Sequence, residues 1–331
     1  MPVLSLEALH DLAVRVMTAS KTSRETAVTI ADALVAAEAD GLGSHGISRA
    51  PFYADQAISG KVDGFASPIV TETAPSALRV DARDGFAFPA IAAGFAHVKR
   101  MAETSGVVAM AVANSHHFGA AGYHVEKLAS CGLAAFAFGN TPAAMAPWGG
   151  NAPLFGTNPI AFAIPRRDNP PLVIDMSLSA AARGKIMVAA KKGSEIPLGW
   201  ALDADGKPTT DPNAALAGTL LPAGGVKGAV LAMMIEIIAA TLTGSNYGYE
   251  ASSFFEAEGN PPRVGQFFIA LRPGLFCGGV DYQDRLEQLL DRILAQPGTK
   301  LPGYLPARMK SQAEGVSILD SLHEDLVRRA G

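Results

Sequence analysis

Asp40-Gly-Leu-Gly-Ser-His-Gly-Ile-Ser-Arg49 is the stretch on which the fold turns. Gly41, Gly43 and Gly46 spell G-x-G-x-x-G, the pattern of a dinucleotide-binding loop, but such a loop must follow a strand and open a helix. Here a helix comes first. Thr22 and Glu25 are spaced as a capping box, Val28, Ala31 and Val35 share one face, and residues 30–39 are rich in alanine. The glycines therefore end a helix, and His45 stands where a pyrophosphate would need bare backbone. A Rossmann domain is not expected. What the stretch does bring together is an imidazole and a guanidinium four residues apart, His45 and Arg49. That pairing suits a proton donor beside an anchor for a carboxylate.

The chain has 331 residues, 49% of them hydrophobic, which is enough for one large domain or two to three interleaved ones. Its formal charge of −4 is spread without basic clusters, so neither nucleic acid nor an anionic membrane is an expected partner. Cys131 and Cys277 form no C-x-x-C and no disulfide framework, which fits a reducing compartment. The N-terminal segment is amphipathic and carries acidic residues, unlike a signal or transit peptide. Even residues 226–243 include Lys227 and Glu236, so no membrane span is expected. A cytoplasmic soluble protein is the expectation.

Apolar periodicity predicts helices over 4–18, 22–40 and 52–59, a strand pair at 69–73 and 77–81, and a helix from Pro89 to about residue 104. Helix and strand then alternate: strand 107–113, helix 120–130 closed by Gly132, and strands 133–138, 160–164 and 172–176. A long buried helix over 226–243, a late strand at 266–271 and closing helices at 281–295 and 320–329 complete an α/β pattern. Glycine and proline cluster at 142–159, 196–225 and 259–262, which marks the long loops.

Polar residues beside buried strands fall into a few segments. Ser44 and His45 with Arg49 are one. Asn114-Ser-His-His-Phe-Gly119 follows a strand end, where open α/β sheets bind ligands. Phe155-Gly-Thr-Asn-Pro159 is a tight turn, and Asp175-Met-Ser-Leu-Ser179 ends an apolar strand whose aspartate needs a partner. Each has a plainer reading. Asp175, Ser177 or Ser179 can cap the helix that continues through Arg183 and Ile186, Asn158-Pro159 can be only a turn, and at least one of His116 and His117 is structural on extended backbone. A metal site from His116, His117, His124 and Glu126 lacks helical H-x-x-x-H spacing. A hydrolase triad of Ser44, His45 and Asp175 lacks the G-x-S-x-G elbow. Leu221-Pro-Ala-Gly-Gly-Val-Lys-Gly228 is a glycine-rich loop with a lysine running into a helix, which favours an anionic cofactor or substrate.

These segments, with Gly149-Gly150, Gly184-Lys185 and Pro208-Thr-Thr-Asp-Pro212, occur in the order seen in the malate/L-lactate dehydrogenase family, and the resemblance spans about residues 5–310. That family also includes sulfolactate and ureidoglycolate dehydrogenases and Δ1-piperideine-2-carboxylate/Δ1-pyrroline-2-carboxylate reductases. The resemblance implies a nicotinamide-dependent oxidoreductase with a non-Rossmann, sulfolactate dehydrogenase-like α/β fold. Residues 1–75 and 272–331 would form a helical domain, and 76–271 a mixed-sheet domain binding cofactor and substrate. It also implies a homodimer that uses NADP, with NAD possible, on a small carboxylate substrate.

By the same resemblance, Ser44, His45 and Asp175 form a relay in which His45 donates the proton, and Arg49, Thr157 and His117 hold the substrate. His117, Phe118, Gly119, Ala120, Asp175, Met176 and Ser177 would line the cofactor, with Lys185, Gly225, Lys227 and Gly228 near its phosphates. The C-terminal stretch departs from the family pattern, and its Lys300 and Arg308 supply cations for a 2′-phosphate. An ordinary histidine pKa suits the proton transfer, and Asp175 beside His45 would favour the imidazolium. The double histidine in Ser115-His-His-Phe118 resembles the imine reductases, which points to a cyclic 2-imino acid as substrate. Malate-, lactate-, sulfolactate- or ureidoglycolate-like acids are the alternative. For a distal anionic group the cations at hand are Arg183, Lys185 and Lys227.

Overall fold

In the computed structural model, which describes residues 1–331, a short strand β1 (Val3–Leu4) leads into α1 (Leu6–Ala19) and α2 (Arg24–Ala39). Ser5 and Ser23 cap these helices, accepting from the amides of Ala8 and Thr26, each worth about 1 kcal/mol. The expected capping box is thus misplaced: Ser23 is the cap, while Thr22 is buried and donates to the Ser20 carbonyl. α2 gives way to Asp40, and Gly41, with φ of +77°, turns the chain towards a 3-10 turn at Ile47–Arg49 and α3 (Ala50–Ser59). The glycine pattern does follow a helix.

The middle of the chain alternates: β2 (Ile69–Ala74), β3 (Ala77–Asp81), α4 (Ala87–Ser105), β4 (Val107–Ser115), α5 (Ala121–Ala129), β5 (Ala134–Gly139), β6 (Ile160–Ile164) and β7 (Leu172–Met176). Then come α6 (Arg183–Lys192), β8 (Ala201–Leu202), α7 (Pro212–Ala217), β9 (Thr219–Leu220), α8 (Val226–Glu236) and β10 (Val264–Leu271). The chain closes with α9 (Tyr282–Leu294), α10 (Leu305–Glu314), β11 (Val316–Ser317) and α11 (Asp320–Ala330).

Seven strands form one sheet in the order β2-β3-β4-β10-β5-β6-β7. Only β3 and β4 pair in parallel; every other pairing in that sheet is antiparallel. The late strand β10 therefore enters at the centre, between β4 and β5, where its alternate side chains are buried. α4 and α5 cover one face through Ile91, Phe95, Val125 and Leu128. A separate core joins the two ends of the chain: Leu9, Met17, Ile30 and Leu34 pack with Ile318 and Leu326, and β1 pairs with β11. The expected division at residue 75 falls inside the β2–β3 hairpin, so β2 goes with the sheet.

The expected long buried helix is also corrected. α8 stops at Glu236 and passes into a π-helical turn, Ile237–Thr241, and one side of both is open, with Val226, Val230, Met233 and Ile237 exposed. No helix is long and apolar enough to cross a membrane.

Candidate active site

A cleft of about 710 Å³ opens where α2 ends, β4 and β7 end, and the 141–159 and 248–256 loops meet. Ser44, His45, Arg49, His117, Thr157 and Asp175, six residues from four separated segments, all line it. The glycine corner that brings in His45 is shaped by Glu38, whose carboxylate accepts from the Ile47 amide at 2.9 Å. A Cβ on Gly46 would lie 2.1 Å from that carboxylate, so the position requires glycine.

Ser44 Oγ lies 3.0 Å from His45 Nδ1. Arg49 Nε donates to the Ser44 carbonyl at 2.7 Å, and its guanidinium stacks 4.6 Å above the Phe255 ring. Arg49 Nη1 is shut off from solvent and has no partner, and no carboxylate pairs with this side chain. Burial first, then the Arg49 charge, push the His45 pKa down to about 4. The expectation of an ordinary histidine pKa is therefore corrected for the protein without substrate.

The double histidine divides its labour. Asn114 adopts φ of +50° near the end of β4, and beyond it the two rings take different surroundings. His116 is buried beside Gln56, with Nε2 2.7 Å from Oε1, and does not line the cleft. His117 lines it, its Nδ1 2.5 Å from the Tyr53 hydroxyl and its ring 5.7 Å from that of His45. Burial lowers the pKa of both, His116 to about 3. His124 is held by the Phe118 carbonyl at 2.7 Å and Glu126 by Arg308, so each of the four residues weighed as a metal set has a protein partner.

Asp175 corrects a second expectation. Its carboxylate accepts from the Gly122 amide at 2.8 Å, in the first turn of α5, and lies beside the Tyr304 hydroxyl. No hydrogen bond or ion pair joins it to His45, so without substrate neither the relay nor the hydrolase triad is linked through this carboxylate. The α5 N-terminus, capped by no side chain of its own, draws the carboxylate instead. The plainer reading fails too, because the N-cap position of α6 is Ala182 and no side chain caps that helix.

Of the expected cofactor positions, His117, Phe118, Gly119, Ala120, Asp175, Met176 and Ser177 line the cleft, whereas Lys185, Gly225, Lys227, Gly228 and Lys300 do not. A Cβ on Gly228 would lie 1.9 Å from the Ala223 carbonyl, so that loop's glycine serves close packing. Arg308 is taken by a structural pair, with Nε on Asp40 at 2.6 Å and Nη1 on Glu126 at 2.7 Å, outside the cleft. The reading of Arg308 as a 2′-phosphate cation is corrected on this ground. Arg183, in the first turn of α6, does line the cleft; it donates to the Leu216 carbonyl and has no carboxylate partner. Thr141, Tyr249, Phe255 and Tyr304 also line it, and the sequence marks none of them. The departure around residues 300–308 was the one available signal for Tyr304.

Residues 4–327 match the malate/L-lactate dehydrogenase family model. The chain is 54% identical to the (2R)-3-sulfolactate dehydrogenase (NADP(+)) of Chromohalobacter salexigens, covering 98% of this chain and 97% of that one. It is 40% identical to a Δ1-pyrroline-2-carboxylate/Δ1-piperideine-2-carboxylate reductase of Pseudomonas aeruginosa, covering 98% of each. Among solved structures, the Δ1-piperideine-2-carboxylate reductase of Pseudomonas syringae pv. tomato superposes with a TM-score of 0.94 at 38% identity, over 99% of this chain and 100% of that one. The sulfolactate dehydrogenase of Methanocaldococcus jannaschii superposes with a TM-score of 0.90 at 32% identity, over 99% and 96%.

Proposed function

The chain belongs to the malate/L-lactate dehydrogenase family and is an NADP-dependent oxidoreductase, and from that premise we propose that it interconverts 3-sulfolactate and 3-sulfopyruvate. The observation that carries this reading is Arg49, a guanidinium with a solvent-free, unpartnered Nη1 lining the cleft. Such a charge is costly without an anion and favours one when the substrate arrives. A 2-oxo acid carboxylate meets that need, and Arg183 provides a second positive charge in the same cleft for a second anionic group. The 54% identity to a sulfolactate dehydrogenase supports this class over the cyclic imines.

The cleft fits the cofactor: its volume lies in the range of cofactor sites. The uncapped amides of the first turn of α6 would hold phosphate, and Phe118 to Ala120 with Met176 and Ser177 would line the rest. When bound there, NADPH would supply the hydride that reduces C2. Arg49 orients the substrate carboxylate beside His45. With Ser44 Oγ donating to Nδ1, the neutral imidazole keeps its proton on Nε2. A carboxylate on Arg49 offsets the charge that depresses the His45 pKa, so binding favours a protonated imidazole. His45 then gives its proton to the oxygen that the hydride leaves as alkoxide.

A second reading, reduction of Δ1-piperideine-2-carboxylate or Δ1-pyrroline-2-carboxylate, is favoured by the 0.94 superposition on a reductase of the first of these. Its sequence argument, the extra histidine, weakens because His116 lies outside the cleft. Purified protein should be assayed for NADPH oxidation with sulfopyruvate, oxaloacetate, pyruvate and both imines. The highest kcat/KM is expected with sulfopyruvate; a higher value with either imine moves the assignment to the second reading.

A further inference from the structure

Glu236, the last residue of α8, is 4% exposed, and no cation pairs with its carboxylate. Three uncharged donors converge on it instead. Oε1 accepts from Asn140 Nδ2 at 3.2 Å and from the Gly248 amide at 2.7 Å, and Oε2 accepts from Asn158 Nδ2 at 2.7 Å. Each donor belongs to a different loop, and each stands next to a residue that lines the cleft: Thr141, Thr157 and Tyr249. The loops also touch backbone to backbone. A Cβ on Gly156 would come within 2.2 Å of Thr141 Oγ1, and one on Gly248 within 2.9 Å of the Thr141 carbonyl and 3.0 Å of the Gly156 nitrogen. Thr141 Oγ1 accepts from the Thr157 amide at 3.0 Å, which ties two of them directly. Asn140 carries the network on to the sheet, where its Oδ1 accepts from Gly265 at 2.9 Å.

A buried carboxylate without a counter-ion is expensive, and a carboxamide of the same shape would avoid that cost. A carboxamide, however, has one acceptor oxygen and would turn an NH2 group towards a donor. Only an acceptor-only group satisfies all three loops. We propose that Glu236 is a positioning residue that holds the 140–141, 157–159 and 248–249 loops in register as one wall of the active site. Its location supports this: the helix changes to a π turn at the next residue, a feature frequent near functional sites.

The proposal rests on the cleft being the NADPH and substrate site, not on which acid is reduced. NADPH binding to the unaltered protein, followed by nicotinamide fluorescence, checks that premise by itself. For Glu236→Gln, NADPH affinity and kcat/KM with the best acid should each fall roughly ten- to a hundred-fold. The loss should appear well below the melting temperature. A variant with a lower Tm but unchanged affinity, kcat and KM overturns the proposal. In a double-mutant cycle, Glu236→Gln and Thr141→Val should be strongly non-additive in kcat/KM, because both act on one wall; simple multiplication of their effects counts equally against it. Glu236→Asp keeps the charge but is one methylene short. Should the glutamine variant not fold, the aspartate variant takes the same measurements, and unchanged constants there overturn the proposal too.

Discussion

His45 is held near a pKa of about 4 by burial and by Arg49, so it is neutral at pH 7 in the free protein. An anion on Arg49 removes one of those two causes. NMR titration of the ring should therefore show an upward shift on adding oxalate, a carboxylate that cannot be reduced, and an unmoved titration would remove Arg49 as the anchor. His45→Ala should lower kcat by about two to four orders of magnitude, the usual scale of general acid catalysis, with NADPH affinity nearly intact. Near-normal turnover would pass the donor role to His117, whose ring is 5.7 Å away. Arg308 poses the opposite case. Arg308→Ala breaks its pair with Asp40 and Glu126 and should cost about 2 kcal/mol in stability while leaving NADPH affinity unchanged; weakened NADPH binding would restore the cation reading. His45 and Arg49 were legible in the sequence because four residues of local spacing place them. Asp175 was legible as a strand-end carboxylate in need of a partner. That the partners are Gly122 and Tyr304 depends on packing between segments more than fifty residues apart.

Elements show the same division. β6 and β7 matched their expected bounds because short apolar runs between turns leave little choice. The end of α8 did not, since a π turn depends on tertiary contacts: a Cβ on Gly265 of β10 would come within 1.9 Å of the Ala239 carbonyl. α10 was missed entirely, its apolar residues being too few for a periodic signal. The link from β4 to α5 carries a testable burden. His116, His117 and His124 are buried there with pKa values pushed below the ordinary histidine value, His116 to about 3 and His124 to about 4. The unfolded chain takes up these protons near pH 6.5 and the folded chain does not. Stability is therefore full above that pH and falls as the pH drops towards the folded values. Each such group costs about 1.4 kcal/mol per pH unit in that window. Glu38, Asp175 and Glu236 oppose this, because burial raises their pKa values and lets the folded state take up protons before the unfolded chain does. Thermal melts should lose stability steadily from pH 6.5 to 5, and His116→Gln should flatten the slope. A Tm constant across that range would contradict the neutral, buried state of these rings.

At the scale of the molecule, α8 and its π turn leave one side uncovered. Val226, Val230, Met233, Met234, Ile237 and Leu242 are exposed, and Lys227 is the one charged residue among the exposed positions of this stretch. A helix that is apolar all round is normally buried all round, and a monomer rarely leaves so continuous an apolar stripe in water. The stripe also continues towards the active site: Thr241 Oγ1 is 3.1 Å from the Tyr247 hydroxyl, Tyr247 stacks on Tyr249 at 5.5 Å, and Tyr249 lines the cleft. We propose that a second copy of the chain covers this face, giving a homodimer, since a nearly uncharged stripe pairs with itself about a two-fold axis without like-charge repulsion. Light scattering should give twice the chain mass of 34.2 kDa. Met233→Glu places a charge in the middle of the stripe and should yield a monomer. Because the face runs on to Tyr249, that monomer should also lose kcat/KM, and dilution of the unaltered protein below its dimerisation constant should lower specific activity in step. An unaltered protein that is monomeric and fully active at assay concentration would remove the proposal, and so would a Met233→Glu variant that stays dimeric.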